Sequence, residues 1–181
     1  NHVSWLDIPV VAAHLRAFKF VAKAELKRIP IFGRAAAAAG TVYIERENRK
    51  AAFDAYTDAA AKINAGASVV VFAEGTRDKS YALRAFKKGP FVLAIAEQAP
   101  IVPTLIYGTL DVKPHGQFAM HPGTVHVHFL APIPTAGLTY EDRDRLAMRV
   151  RDAMAEVLQR EYGVVSPPWA PRRAVPMDSA D

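Results

Sequence analysis

At 181 residues, 51% of them hydrophobic, the chain carries enough apolar material for one domain with a substantial core. It has no cysteine, which excludes disulfides, a cysteine nucleophile and thiolate metal sites. Lys and Arg outnumber Asp and Glu by 15 to 8 in residues 1–90, a net of +7, and fall behind by 8 to 10 in residues 91–181, a net of −2; the halves sum to the overall +5, so anionic partners are drawn to the first half.

In chain order, the pattern predicts a helix near 8–15, a strand near 18–23, helical pieces over 24–39, a strand at 41–45 and a helix at 48–65 stopped by Gly66. The β-branched run Val69-Val70-Val71-Phe72 predicts a buried strand over 68–73, followed by a loop at Glu74–Arg77. A helix at about 89–98, a strand at 101–107, a loop to Pro122 and a strand at 124–130 come next. Thr139-Tyr140-Glu141-Asp142 has the form of a capping box opening an amphipathic helix that ends near Gly163. This β–α alternation predicts an α/β fold over residues 1–165. Residues 166–181, rich in Pro and charge, are expected to be a poorly ordered or peripheral tail. No run approaches the roughly 20 apolar residues of a bilayer-spanning helix. The chain opens on Asn1 rather than Met, so a missing upstream segment is expected.

Two short patterns carry chemistry. His2 and Asp7 are five positions apart, which on an unbroken helix puts their side chains about 140° apart. They meet only if His2–Trp5 folds back as a turn before a helix that starts near Asp7, where Pro9 is tolerated in the first turn. In such a turn the Asp7 carboxylate accepts the Nδ1–H of His2 and leaves Nε2 free to take a proton from an alcohol. The second pattern, Glu74-Gly75-Thr76-Arg77, lies at the carboxyl end of a strand, where open α/β sheets place ligands. Gly75 lets backbone approach a ligand closely, and Arg77 offers a planar fork suited to phosphate.

Other features are read as structural. His126 and His128 share one strand face with no third ligand at a supporting spacing, so no metal site is expected. Ser4 lacks a Gly-x-Ser-x-Gly elbow and suits a turn or cap. His14 is expected to be packed or solvent-facing, and Lys87-Lys88 to be a solvated pair. Helix-turn-helix, zinc-finger and aromatic RNA-binding signatures do not occur, which argues against nucleic acid.

Taken together the chain resembles the glycerolipid acyltransferases, the group that includes the lysophosphatidic acid acyltransferases. Four blocks carry the resemblance in family order: His2-x4-Asp7; the stretch from Lys23-Ala-Glu25-Leu26 through Pro30 and Gly33 to Tyr43-Ile44-Glu45-Arg46; Phe72-Ala73-Glu74-Gly75-Thr76-Arg77; and Ile101-Val102-Pro103-Thr104. The family often has Pro where Ala73 stands, Asp at Glu45, Phe at Tyr43 and Val at Thr104. None of these departures removes a chemical group the site needs. The second block looks most like the lysophosphatidic acid branch.

The resemblance implies an αβα sandwich with a mixed central β-sheet flanked by helices. It implies that His2 is the general base for the acceptor hydroxyl and that Asp7 holds and polarises it. Arg77, Arg46 and Lys23 would bind the acceptor's phosphate, Glu74, Gly75 and Thr76 would shape that pocket and contact the glycerol, and Val102 and Pro103 would line the acyl side. The expected reaction is O-acylation of lysophosphatidic acid to phosphatidic acid in phospholipid biosynthesis. Acyl-coenzyme A or acyl-carrier protein would be co-substrate, with no cofactor. The expected partners are the lysophospholipid, the acyl donor and a membrane surface, on its cytoplasmic face. The alternatives are acylation of lyso-ornithine lipid or glycerol-3-phosphate, and a non-catalytic lipid-binding module.

Overall fold

The computed structural model describes residues 1–15, 17–30, 32–38, 40–44, 59–114, 116–117 and 119–169. A helix α1 at Asp7–Ala12 leads into strand β1, Phe18–Lys23, and a 3-10 segment at Ala24–Arg28 precedes α2, Phe32–Ala38. Strand β2 is Val42–Ile44; α3 is described over residues 59–64 and hands over to β3, Ser68–Val70. Then come α4 at Gly89–Ala96, β4 at Thr104–Tyr107, a short α5 at Thr109–Val112, β5 at His126–Phe129 and α6 at Arg143–Tyr162. The short α5 falls where the sequence predicts loop. Residues 48–58 of the predicted third helix and residues 170–181 of the tail lie outside the described residues.

The strands form a three-stranded parallel sheet in the order β2-β1-β3 and an antiparallel pair, β4-β5. Strand β1 divides its two ends between neighbours: Phe18–Phe20 pair with Ser68–Val70, and Val21–Lys23 pair with Val42–Ile44. The fold is therefore α/β with both parallel and antiparallel pairing, as expected from the alternation of elements. Strand β3 is shorter than predicted because the chain turns away after Val70. The Phe72 carbonyl accepts the Gly75 amide at 2.9 Å, and Gly75 takes a positive φ of 76° that an L side chain rarely adopts.

Helix α6 shows why the element forms. Its buried residues Leu146, Ala147, Val150, Arg151, Met154, Val157 and Leu158 recur at helical spacing on one face. Ahead of it Thr139 and Asp142 close the predicted capping box, with the Thr139 amide donating to Asp142 Oδ2 at 2.8 Å. Behind it Gly163 adopts φ 67°, the left-handed cap that stops the helix. The α6 face packs with Phe91 and Ile95 of α4, Leu105 of β4 and the loop residues Tyr81, Leu83 and Phe86 in the principal core. A second cluster joins Val42, Ala59 and Leu93, with Val21, Ile63 and Val69 against it. Val3 belongs to the principal core, which anchors the first residues of the chain. Among the described residues no helix is long and apolar enough to cross a membrane.

Candidate functional site

The site is built on residues 1–7. Asn1 and Val3 are buried on either side of His2, whose side chain is only 13% exposed. The Asn1 amide meets the backbone of Ile106 twice: Nδ2 donates to its carbonyl at 2.9 Å and Oδ1 accepts its N–H at 2.8 Å. Asn1 thus stands in for a strand partner on β4. The His2 backbone is held from the loop beyond β3, its N–H donating to Glu74 Oε1 at 3.2 Å and its carbonyl accepting the Asp78 amide at 3.0 Å. The chain then turns into α1, with the Leu6 amide donating to Ser4 Oγ, so Ser4 acts as a local turn residue.

This turn brings His2 Nδ1 to 2.7 Å from Asp7 Oδ2. The same oxygen accepts the amides of Val3 at 2.7 Å and Ser4 at 2.8 Å, and the other, Oδ1, accepts the Thr109 hydroxyl at 2.6 Å. Asp7 is fully buried. Burial works to raise its pKa, but the hydrogen bonds from His2, Thr109, Ser4 and Val3 outweigh it and hold the carboxyl below its ordinary value. With an ionised acceptor facing Nδ1, the proton-bearing ring nitrogen is Nδ1, and Nε2 is left with its lone pair free. The ring itself stacks on Phe72, with centroids 4.0 Å apart.

One concavity opens at this ring, and a second is lined by the Phe72 that stacks on it. A cleft of about 110 Å³ is lined by His2, Trp5, Ile8, Leu26, Ile29 and Arg77, so the imidazole and the guanidinium open onto the same space. A larger apolar cavity of about 540 Å³ lies between β3 and β4, where Phe72, Val102, Pro103, Ala94 and Met154 contribute to its wall. Phe72 belongs to both neighbourhoods, touching His2 with its ring and lining the cavity.

Of the residues singled out in the sequence, His2, Asp7, Glu74 and Arg77 come together, and Val102 and Pro103 lie on the larger cavity. Thr76 is exposed, and Gly75 supplies the positive-φ turn. Glu74 is 3% exposed, with Oε1 accepting the His2 amide, and burial raises its pKa, so it braces the His2 segment. The Lys23 side chain and the whole of Arg46 lie outside the described residues. His128 Nε2 lies 2.5 Å from the Tyr162 hydroxyl, His14 is exposed with Nδ1 near the Val10 carbonyl, and Lys88 pairs with Asp144 at 3.0 Å. Asn1, Phe72 and Thr109 join the site in the structure without being site candidates in the sequence. Asn1 is an amide beside the histidine and Phe72 stands inside the third block, whereas Thr109 carries no local signal.

The model of one protein family, described as Acyltransferase, matches residues 1–107. The chain is 34% identical over 134 residues to a chloroplastic 1-acyl-sn-glycerol-3-phosphate acyltransferase of Brassica napus, covering 74% of this chain and 39% of that protein. To the human 1-acyl-sn-glycerol-3-phosphate acyltransferase alpha it is 34% identical, with 77% and 50% covered. To the lyso-ornithine lipid O-acyltransferase of Pseudomonas aeruginosa it is 30% identical, with 96% and 70% covered. The crystal structure of the 1-acyl-sn-glycerophosphate acyltransferase PlsC from Thermotoga maritima superposes with a TM-score of 0.74 at 27% identity, over 92% of this chain and 66% of that one.

Proposed function

Because the chain belongs to the acyltransferase family, we propose that it moves a fatty acyl group from a coenzyme A or acyl-carrier protein thioester to the free hydroxyl of lysophosphatidic acid, making phosphatidic acid. One observation carries the reading: a histidine with its Nδ1 bound to a buried carboxylate opens, beside an arginine, onto one small cleft. The lysolipid's phosphate sits on the Arg77 fork and its hydroxyl reaches Nε2 of His2. His2 takes the hydroxyl proton as that oxygen attacks the thioester carbonyl. The new C–O bond forms, the C–S bond breaks, and the departing thiolate recovers a proton from the imidazolium. Asp7 holds the ring and favours its charged form while the proton resides there. The acyl chain lies in the apolar cavity behind Phe72, where Val102 and Pro103 are part of the wall. The acceptor is met at the cytoplasmic face of a membrane, a placement supported by the basic excess of residues 1–90. The reaction as proposed needs no cofactor beyond the acyl donor.

The test is to incubate the full-length protein with a panel of lyso-acceptors and both donor types, with His2→Ala as control. Turnover of lysophosphatidic acid that His2→Ala abolishes is expected, and wild-type turnover in His2→Ala would overturn the mechanism. A second acceptor, lyso-ornithine lipid, is raised by the Pseudomonas relative, whose match spans nearly all of this chain. Arg77→Ala separates the two: it weakens turnover of a phosphate-bearing acceptor strongly and leaves a phosphate-free acceptor nearly untouched.

A further inference from the structure

Thr109 stands outside every pattern that marks the site in sequence and two residues past the end of the family match. It is nevertheless fully buried, and its hydroxyl lies 2.6 Å from Asp7 Oδ1, the oxygen that His2 does not use. The turn that presents it is unusually constrained. Gly108 takes φ 94°, and a Cβ there would stand 2.1 Å from the Thr124 carbonyl oxygen. On either side of Thr109, the amides of Gly108 and Leu110 both donate to the Tyr81 hydroxyl at 2.9 Å, while that hydroxyl donates to Asp111 Oδ2 at 3.0 Å. A buried threonine fixed in this way by the loop that follows Arg77 has one hydrogen to give, and it gives it to the carboxylate that orients the base.

We propose that Thr109 is a positioning residue for the transfer reaction: its hydroxyl locks the Asp7 carboxylate so that Oδ2 faces His2, and it shares the carboxylate's charge. The proposal rests on the acyl-transfer reading above. The described charged and titratable groups that face His2 are Asp7 on α1, and Glu74 and Arg77 on the loop after β3. Removing the Thr109 hydroxyl leaves Oδ1 without that donor and concentrates the negative charge on Oδ2, which favours the imidazolium. The base is then both less well aimed and neutral only at higher pH.

The experiment compares Thr109→Val and Thr109→Ser with the full-length wild type, using a coenzyme A thioester and the best lyso-acceptor, with His2→Ala as reference. Thr109→Val, which keeps the shape and loses the donor, is expected to lower kcat about tenfold, the effect of one hydrogen bond to a charged group, with KM for the acceptor within about twofold. It should also move the acid limb of the kcat–pH profile to higher pH. Thr109→Ser should restore both. A merely structural role would lower the amount of folded enzyme without moving the pH limb. A Thr109→Val enzyme with wild-type kcat and an unmoved acid limb would overturn the proposal while leaving the acyl-transfer reading intact. If Thr109→Val does not fold, Thr109→Ser against Thr109→Cys makes the same comparison, because a thiol is a weak donor. Equal kcat and pH limbs in that pair would overturn it equally. Absence of turnover in the wild type across the acceptor panel is the failure of the acyl-transfer reading, and it overturns Thr109's part in the reaction with it.

Discussion

At the scale of single residues, the site works by saturating one carboxylate. Asp7 accepts hydrogen bonds from two amides, an imidazole and a hydroxyl, and in a fully buried position these keep it ionised. Asp7→Asn therefore keeps the volume but turns an amide N–H toward donors, and kcat is expected to fall by about two to four orders of magnitude with little change in acceptor KM, read by steady-state kinetics. The pH dependence of stability follows from the same bonds. A carboxyl held below its ordinary value of 3.8 contributes stability above that pH and loses it as pH falls through the folded value. Thermal melts in acid should accordingly show a steeper loss for the wild type than for Asp7→Asn, whose side chain does not titrate. Glu74 has the opposite sign: burial raises it, so its ionisation costs stability as pH rises. The His2–Asp7 spacing and the Gly75-Arg77 loop could be read from sequence because their partners are near in the chain or inside blocks of recognisable composition. The inward turn of Glu74 could not, since an acid beside an arginine reads as a surface pair until burial is known.

At the scale of elements, local patterns located most of the strands and helices. Strand β1 spans Phe18–Lys23 as expected, and α6 begins behind its capping box and ends before Gly163. Two elements needed tertiary information. Strand β3 stops at Val70 although the apolar run continues to Phe72, because the turn closed by Gly75 takes over. Helix α5 has only four residues and no periodicity to detect; it exists because Tyr81 accepts two of the amides around its start. That dependence makes Gly108 the weak point of the turn. Gly108→Ala must place a Cβ against the Thr124 carbonyl at a φ that alanine avoids, so a loss of about 2 kcal/mol or more is expected by denaturant titration. In α6, Leu158→Ala should cost about 2–5 kcal/mol by the same measurement, since the side chain is fully buried.

At the scale of the whole molecule, α6 ties the segment after it to the loop that carries the site. Arg151 is 3% exposed; Nη2 donates to the Leu83 carbonyl at 2.8 Å and the Pro167 carbonyl at 2.7 Å, and Nε donates to Arg84 at 3.2 Å. The Leu83 amide in turn donates to Ser166 Oγ, and Trp169 packs near Phe86. Residues 166–169 therefore pack onto the principal domain, the peripheral one of the two arrangements their composition allows. Arg151→Met strips donors from three carbonyls at once, and hydrogen–deuterium exchange should speed up together in residues 81–84 and 164–169. Cavity size is likewise a property of the assembly, since its walls come from both sheets and from α4. Ala94→Phe introduces a ring into that wall, and on the acyl-transfer reading it should shift donor preference toward shorter chains, measured by competition between thioesters of different length.

The Asp7 carboxylate draws its donors from residues 3 and 4 on one side and from residue 109 on the other, and Asn1 meets the backbone of residue 106. The His2–Asp7 pair is thus completed across more than a hundred residues of chain. Contacts of such high order form only after the intervening loop has closed, a slow event in folding. Recovery of activity after dilution from denaturant should therefore trail the return of helical signal and coincide with the last folding phase.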